Sequence, residues 1–246
     1  MKKKVNILGV DILSQERNEL YQDLIDCVKR DEKKYLCVPN LNSVVMAQED
    51  SDLKKIYNES YCNIPDSQLV VFASKFLGDK IYERIAGMDF FEELISKSLD
   101  FKHYLLGSSE EALESLEDKF YKKYELRFAG KYSPPYKAKF DDNDNKVIHD
   151  KINKNPVNIL WVSLTCPKQE KWIYENLDKL NINLAIGVGA AFDVSAGLYK
   201  RAPKFLQNIG LEWFYRFLQE PKRLFSRYFI EGPIFFPLII KQKFGK

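Results

Sequence analysis

Residues 157–194 read VNILWVSLTCPKQEKWIYENLDKLNINLAIGVGAAFDV, and this stretch decides the fold class. The apolar run Val157–Leu164 lacks the alternation of a half-exposed strand. It has the continuity of a strand buried on both faces of a parallel sheet. Pro167 opens a helix expected over Lys168–Leu180, and Asn183–Val188 is a second apolar strand.

The rhythm repeats outward. Val5–Ile12 reads as a strand, and the opening MKKKVNILGVDIL as part of it, not a leader, because Asn6 and Asp11 break the apolar run. Ser14 can cap a helix over Arg17–Lys29, Tyr35–Pro39 and Tyr61–Ile64 are short strands, and Val44–Lys55 is helical. Gln68–Leu77 is a helix stopped by Gly78. Arg84, Gly87 and Asp89 fall on a turn before a helix over Phe90–Ser98. His103–Leu106 reads as a strand, and Ser108-Ser109 caps a helix over Glu110–Tyr124. Glu125–Ala129 reads as a strand, Gly130–Tyr136 and Asp141–Asn145 as loops, and Lys146–Lys151 as a helix. Strands alternating with helices predict an α/β fold with a largely parallel sheet over residues 1–199, followed by a basic, aromatic appendage over 200–246. Ligands of open parallel sheets bind outside the carboxyl ends of the strands. That directs attention to Asn40, Pro65-Asp66, Gly107, Thr165–Pro167 and Gly187–Asp193.

At 246 residues and 45% hydrophobic, the chain has the material for a substantial core, which excludes global disorder. The net charge of +3 is uneven: Lys200–Lys246 holds ten Lys/Arg against three Glu, leaving the body slightly acidic. A basic tail points to an anionic partner, whether a phosphorylated substrate, an acidic membrane surface or nucleic acid. Nucleic acid is disfavoured, because the basic residues are interleaved with apolar bulk and no recognition motif is present. Four cysteines without a CxxC pair and only two histidines give no zinc spacing and fit a reducing cytoplasm. No apolar run reaches the 18 or so residues of a spanning helix.

Several motifs have two readings. Gly187-x-Gly189 follows a strand, but Phe192 stands at the third glycine position of a dinucleotide fingerprint and no clear helix follows. A tight turn competes with a ligand loop. Asp50-Ser51-Asp52 and Asp142-Asn143-Asp144 have the DxD spacing of metal-dependent sugar transferases, yet neither ends a predicted strand, so both read as solvated loops. No metal and no cofactor are expected. Asp66, at a strand end beside a helix start, can be an N-cap or a general base toward a substrate hydroxyl. Arg216, Arg223 and Arg227 are spaced to share a helix face, across a bend at Pro221. Guanidinium groups bind diphosphate oxygens bidentately, and the aromatics around these three argue against a merely solvated face. GPIFFPLII, Gly232–Ile240, suits shallow interfacial insertion or core packing equally.

The ordered set Pro39-Asn40, Pro65-Asp66, Arg84…Gly87-x-Asp89, Pro167-Lys168-Gln169-Glu170, GVGAAFDVSAG from Gly187, Arg201-Ala202-Pro203 and GLEWFYRFLQEPKRLFSRY from Gly210 resembles the WecB/TagA/CpsF glycosyltransferases, glycosyltransferase family 26. The resemblance runs from about Val5 to Tyr228. It implies a Rossmann-like α/β domain with a C-terminal membrane-associating helical appendage. It also implies inverting, metal-independent transfer of an N-acetylmannosamine-type sugar from a UDP donor to polyprenyl-diphosphate-linked N-acetylglucosamine. Such an enzyme works in cell-surface polysaccharide synthesis (teichoic acid, capsule or exopolysaccharide), peripheral on the cytoplasmic face of the membrane. By motif, Asp66 becomes the base, and Arg216, Arg223 and Arg227 stabilise the departing diphosphate. Asn40, Arg84, Gln169, Glu170, Gly187, Gly189, Asp193, Thr165 and Tyr132 become substrate-binding candidates.

Where the family pattern has Pro-Asp-Gly, Ser67 follows Asp66, and Val38 replaces a threonine two residues before Asn40. Ser163-Leu164-Thr165-Cys166 replaces a glycine-rich lead into Pro-Lys-Gln-Glu. These changes bear on donor identity more than on reaction class. A catalytically degenerate UDP-sugar-binding or membrane-scaffold module is the alternative reading, and a homo-oligomer stays open.

Overall fold

A computed structural model describes residues 3–208 and 210–245. Eight strands occur among them: β1 (Lys4–Ile7), β2 (Val10–Leu13), β3 (Lys34–Cys37), β4 (Cys62–Asn63), β5 (His103–Gly107), β6 (Gly130–Tyr132), β7 (Ile159–Ser163) and β8 (Leu184–Gly187). The chain divides into two compact units that interleave in sequence. The sheet unit comprises Arg17–Val38 and Gly87–Leu198, and the terminal unit Met1–Glu16, Pro39–Ala86 and Tyr199–Lys246. This differs from a sequential division at 199/200, although the chain does pass between units at Leu198–Tyr199.

In the sheet unit the strands run in the order β3-β8-β7-β5-β6, all parallel, with Leu36 opposite Ile186, Ile186 opposite Trp161 and Trp161 opposite Leu105. Every residue of β5, β7 and β8 is buried, as their unbroken apolar runs require of strands covered on both faces. Helices flank the sheet, and the core centres on aromatics: Phe91 packs edge-on to Trp161 at 4.9 Å and against Phe192 at 5.2 Å and Phe120 at 5.6 Å.

Three sequence expectations are corrected here. The strand after the helix Glu110–Tyr124 is Gly130–Tyr132, not Glu125–Ala129. Gly130 is needed there, because a Cβ at that position would lie 2.5 Å from the Tyr104 ring on β5. A short helix, Ala191–Ser195, does follow Gly189. Asp142-Asn143-Asp144 is no loop: it opens the helix Asp142–Asn153 in a capping box with Asp141.

In the terminal unit, Val5–Ile12 is not one strand but an antiparallel hairpin, β1 and β2. It turns at Leu8-Gly9, where both residues have positive φ. The single helix expected over Val44–Lys55 is two, Leu41–Met46 and Ser51–Glu59. Asp50 caps the second by accepting from Leu53 N–H, so the other DxD pair is likewise a helix start. Gln68–Leu77 and its left-handed stop at Gly78 occur where expected. The C-terminal stretch is wholly helical in character: Glu212–Gln219, Pro221–Phe225 with Pro221 at its first position, a π-helical turn over Ser226–Glu231 and Phe235–Phe244. No helix among the described residues is long and apolar enough to cross a membrane.

Candidate active-site residues

In the sheet unit, three adjacent strands present their carboxyl ends together: Gly107 of β5, Ser163 of β7 and Gly187 of β8. Gly107 is irreplaceable by shape, since its φ is +102° and a Cβ would fall 2.2 Å from the Ser163 carbonyl oxygen. Ser163 Oγ donates to the Gly189 carbonyl at 2.8 Å. Gln169 lies under the turn, with its Oε1 accepting from Gly189 N–H at 3.0 Å and its Nε2 donating to Glu170 Oε1 at 2.9 Å. Both Gln169 and Glu170 are buried, and a Cβ on Gly187 would press within 3.1 Å of Gln169. The turn is therefore shaped by its own glutamine. Asp193 accepts from Ser108 Oγ at 2.5 Å, and Ser108 has a left-handed φ of +57°. Thr165, φ +65°, receives Gln169 N–H on its carbonyl at 2.9 Å. Tyr132 sits on β6 with the Lys151 ammonium 4.6 Å from its ring centre.

In the terminal unit, Asp66 follows the buried Ile64-Pro65 pair at the exit of β4 and is half-buried. The N-cap of the helix Gln68–Leu77 is Ser67, so Asp66 is not the cap. Arg84 fixes the backbone here: its Nε donates to the Asp66 carbonyl at 2.6 Å and its Nη2 to Glu212 Oε2 at 2.7 Å. The other Glu212 oxygen meets Arg201 at 3.3 Å. Asn40 caps Leu41–Met46, accepting from Ser43 N–H at 3.2 Å through Oδ1.

The arginines gather around one carboxylate. Glu220, at the break between the helices Glu212–Gln219 and Pro221–Phe225, accepts from Arg216 Nε at 2.7 Å and from Arg223 Nε and Nη2 at 2.7 and 2.6 Å. The Tyr199 phenol feels the Glu220 charge, and its ring lies 4.2 Å from the Arg216 guanidinium carbon. Burial works against ionising Glu220, but the bonds from Arg223 and Arg216 hold its carboxyl at about 2. Arg216 Nη2 is buried and has no hydrogen-bond partner among the described residues. Arg227 contributes its carbonyl to Asn42 Nδ2 at 2.5 Å. Burial pushes the Tyr228 phenol up. Arg227, Arg216 and Arg223 pull it down and Asp66 adds to the rise, so one phenol feels all four predicted groups.

Arg216 and Arg223 thus meet at Glu220 in the terminal unit, which also holds Asp66 and Arg227. Gln169, Glu170, Gly187, Gly189 and Asp193 converge at the strand ends of the sheet unit. Sequence reasoning missed Glu220, Glu212, Tyr199 and Ser108. Glu220 had a signal: it lies four residues after Arg216 and three before Arg223, the spacings at which helical side chains meet.

The fold is α/β, with candidate groups clustered in each of its two units. The model of the glycosyl transferase WecG/TagA/CpsF family matches residues 5–246, and the chain belongs to that family. It is 31% identical over 180 residues to the N-acetylglucosaminyldiphosphoundecaprenol N-acetyl-beta-D-mannosaminyltransferase of Bacillus subtilis (strain 168), covering 72% of this chain and 68% of that one. The enzyme of the same name from Staphylococcus aureus (strain MW2) is 26% identical over 246 residues, 98% of this chain and 93% of its own.

Proposed function

We propose that this glycosyltransferase moves an N-acetylmannosamine-type or related sugar from a UDP donor to N-acetylglucosamine on a polyprenyl diphosphate, with inversion, at the inner face of the cytoplasmic membrane. Asp66 acts as general base on the acceptor hydroxyl. Arg216, Arg223 and Arg227 offset the charge that develops on the departing UDP, a role that preorganised donors in a partly desolvated setting perform well. Arg84 steadies the Asp66 backbone, and Asn40, whose cap uses Oδ1, has its amide nitrogen to offer a sugar or base. The Gly187–Gly189 turn with Gln169, Glu170, Asp193, Thr165 and Tyr132 supplies the nucleotide-side candidates. The names carried by the relatives support the substrate class.

The observation that supports the catalytic reading best is the gathering of the Arg216 and Arg223 guanidinium groups at Glu220, in the same unit as Asp66. A single-displacement transfer needs a base for the incoming hydroxyl and positive charge for the leaving diphosphate. The test is a screen of UDP-sugars against a short-chain diphosphate-linked N-acetylglucosamine, read by mass spectrometry in excess EDTA. Transfer is expected with at least one donor. Asp66→Asn should lose roughly 10²–10⁴-fold in kcat while keeping the wild-type melting temperature. Near-normal turnover in that variant removes Asp66 from the base role.

A further inference from the structure

We infer that Glu220 is a positioning residue that sets the guanidinium groups of Arg216 and Arg223 for a nucleoside diphosphate, leaving Arg216 Nη2 for a phosphate oxygen. This rests on the proposed UDP-sugar reading and adds to it a residue that is itself negative.

A carboxylate among arginines meant for an anion is paradoxical if charge alone matters, because it cancels one of the positive charges. Geometry resolves the paradox. Glu220 stands at the helix break before Pro221, with non-helical backbone (φ −134°, ψ 56°), and from there reaches both neighbouring helices. It takes Arg216 Nε with one oxygen, and Arg223 Nε and Nη2 with both in the fork geometry of a bidentate pair. Arg216 is further confined by the Tyr199 ring, 4.2 Å from its guanidinium carbon. These restraints bind Arg216 through Nε and leave Nη2 buried without a partner among the described residues. A buried guanidinium N–H without an acceptor costs free energy unless an acceptor arrives, and a diphosphate oxygen is the acceptor that fits. Two long side chains fixed before binding also spare the ordering entropy that loose arginines would lose.

The sign of one substitution separates positioning from charge. Glu220→Gln makes the cluster more positive by one, so simple attraction predicts tighter UDP binding. Positioning predicts the opposite. We expect UDP affinity, measured by calorimetry on the full chain, to fall roughly tenfold in Glu220→Gln, of the order of one charged hydrogen bond. Glu220→Asp should recover part of the loss. In an Arg216→Ala/Arg223→Ala background the same substitution should change affinity by no more than about twofold, as coupled residues do. Tyr199→Phe, which removes only the hydroxyl that feels Glu220, should weaken binding in the same direction by about twofold to fivefold and guards against a Glu220 variant that does not fold. Equal or tighter binding of UDP to Glu220→Gln, or a loss undiminished in the double-alanine background, overturns the inference while leaving the donor class standing. Failure of the wild-type protein to bind UDP overturns the donor reading and this inference with it.

Discussion

Thr165 is the residue whose local chemistry and conformation disagree most. It is β-branched, yet it holds φ +65°, a region that L-residues other than glycine, asparagine and aspartate seldom enter. Its Oγ1 donates to the Leu164 carbonyl at 2.6 Å, and its own carbonyl takes Gln169 N–H, so the turn that starts the Gln169 helix depends on this conformation. Replacing Thr165 by glycine releases about 1–2 kcal/mol of strain and returns roughly 0.5–1 kcal/mol to the unfolded chain's entropy. Thr165→Gly should therefore be stabilising by about 0.5–1 kcal/mol, seen as a higher urea midpoint; a lower midpoint would show that the hydroxyl matters more than the backbone. The lead into Pro167 was legible as a departure from a glycine pattern, but its cost was not, because dihedral angles are absent from a sequence. Glu220 shows the converse. Its spacing to Arg216 and Arg223 was in plain view, but Pro221 drew the reading toward a break and away from the carboxylate that spans it.

At the scale of elements, the central strands were legible because burial on both faces leaves their runs almost wholly apolar. The edge was not: Gly130-Lys131-Tyr132 has no apolar run, and it is a strand because Gly130 lets the Tyr104 ring of β5 lie against it. Strand β5 also carries a polar group whose pairing depends on pH. Trp161 Nε1–H donates to His103 Nδ1 at 3.1 Å across the β5–β7 pair, and His103 Nε2 sits 2.9 Å from the Ser98 carbonyl. The neutral ring with its proton on Nε2 satisfies both; protonation would set an Nδ1–H against the indole N–H. Burial lowers the His103 pKa to about 4, with the Ser98 bond opposing. Since the folded value lies below the unfolded 6.5, the unfolded chain binds the proton first. Stability from this group is complete above about 6.5 and is lost as pH falls toward 4, at up to about 1.4 kcal/mol per pH unit. His149, whose pKa burial also lowers, adds in the same direction. Glu220 enters only below its ordinary carboxylate value. An NMR titration should find the His103 ring neutral down to about pH 4, and titration of that ring near 6.5 would contradict the burial argument.

Across the whole molecule, the sequence suggested a body over residues 1–199 followed by an appendage over 200–246. The contacts argue otherwise for the terminal unit. Gln242 bonds the hairpin twice, at Leu8 N–H (2.8 Å) and the Asn6 carbonyl (3.0 Å), and Lys243 reaches the Leu77 carbonyl. Phe235 and Ile239 are buried in the same unit. The long-range pairing of Asn6 and Leu8 with Gln242 has no periodicity to betray it, so it was illegible. Within GPIFFPLII, Phe235 and Ile239 pack inward while Phe236 and Ile240 remain more than half exposed.

Deleting the tail is thus a poor test of membrane contact, and point changes on its outer surface are a better one. Phe205, Leu218, Phe225 and Ile230 are each more than half exposed, in a segment with seven more positive than negative groups. Exposed apolar side chains among lysines and arginines favour shallow insertion into an anionic surface, with each side chain worth up to about 1.5–3 kcal/mol when fully buried. The protein should float with vesicles containing anionic phospholipid, less so in high salt, where screening shortens the reach of the basic groups. Leu218→Ser combined with Phe225→Ser should lower partitioning by at least about tenfold, because even half-buried the two side chains lose about 1.5–3 kcal/mol together. Turnover of a water-soluble short-chain acceptor should persist in that variant, while turnover of a vesicle-borne acceptor falls with the partitioning. Unchanged flotation would mean that these side chains do not meet the lipid. Equal loss on both acceptors would assign them to packing within the terminal unit.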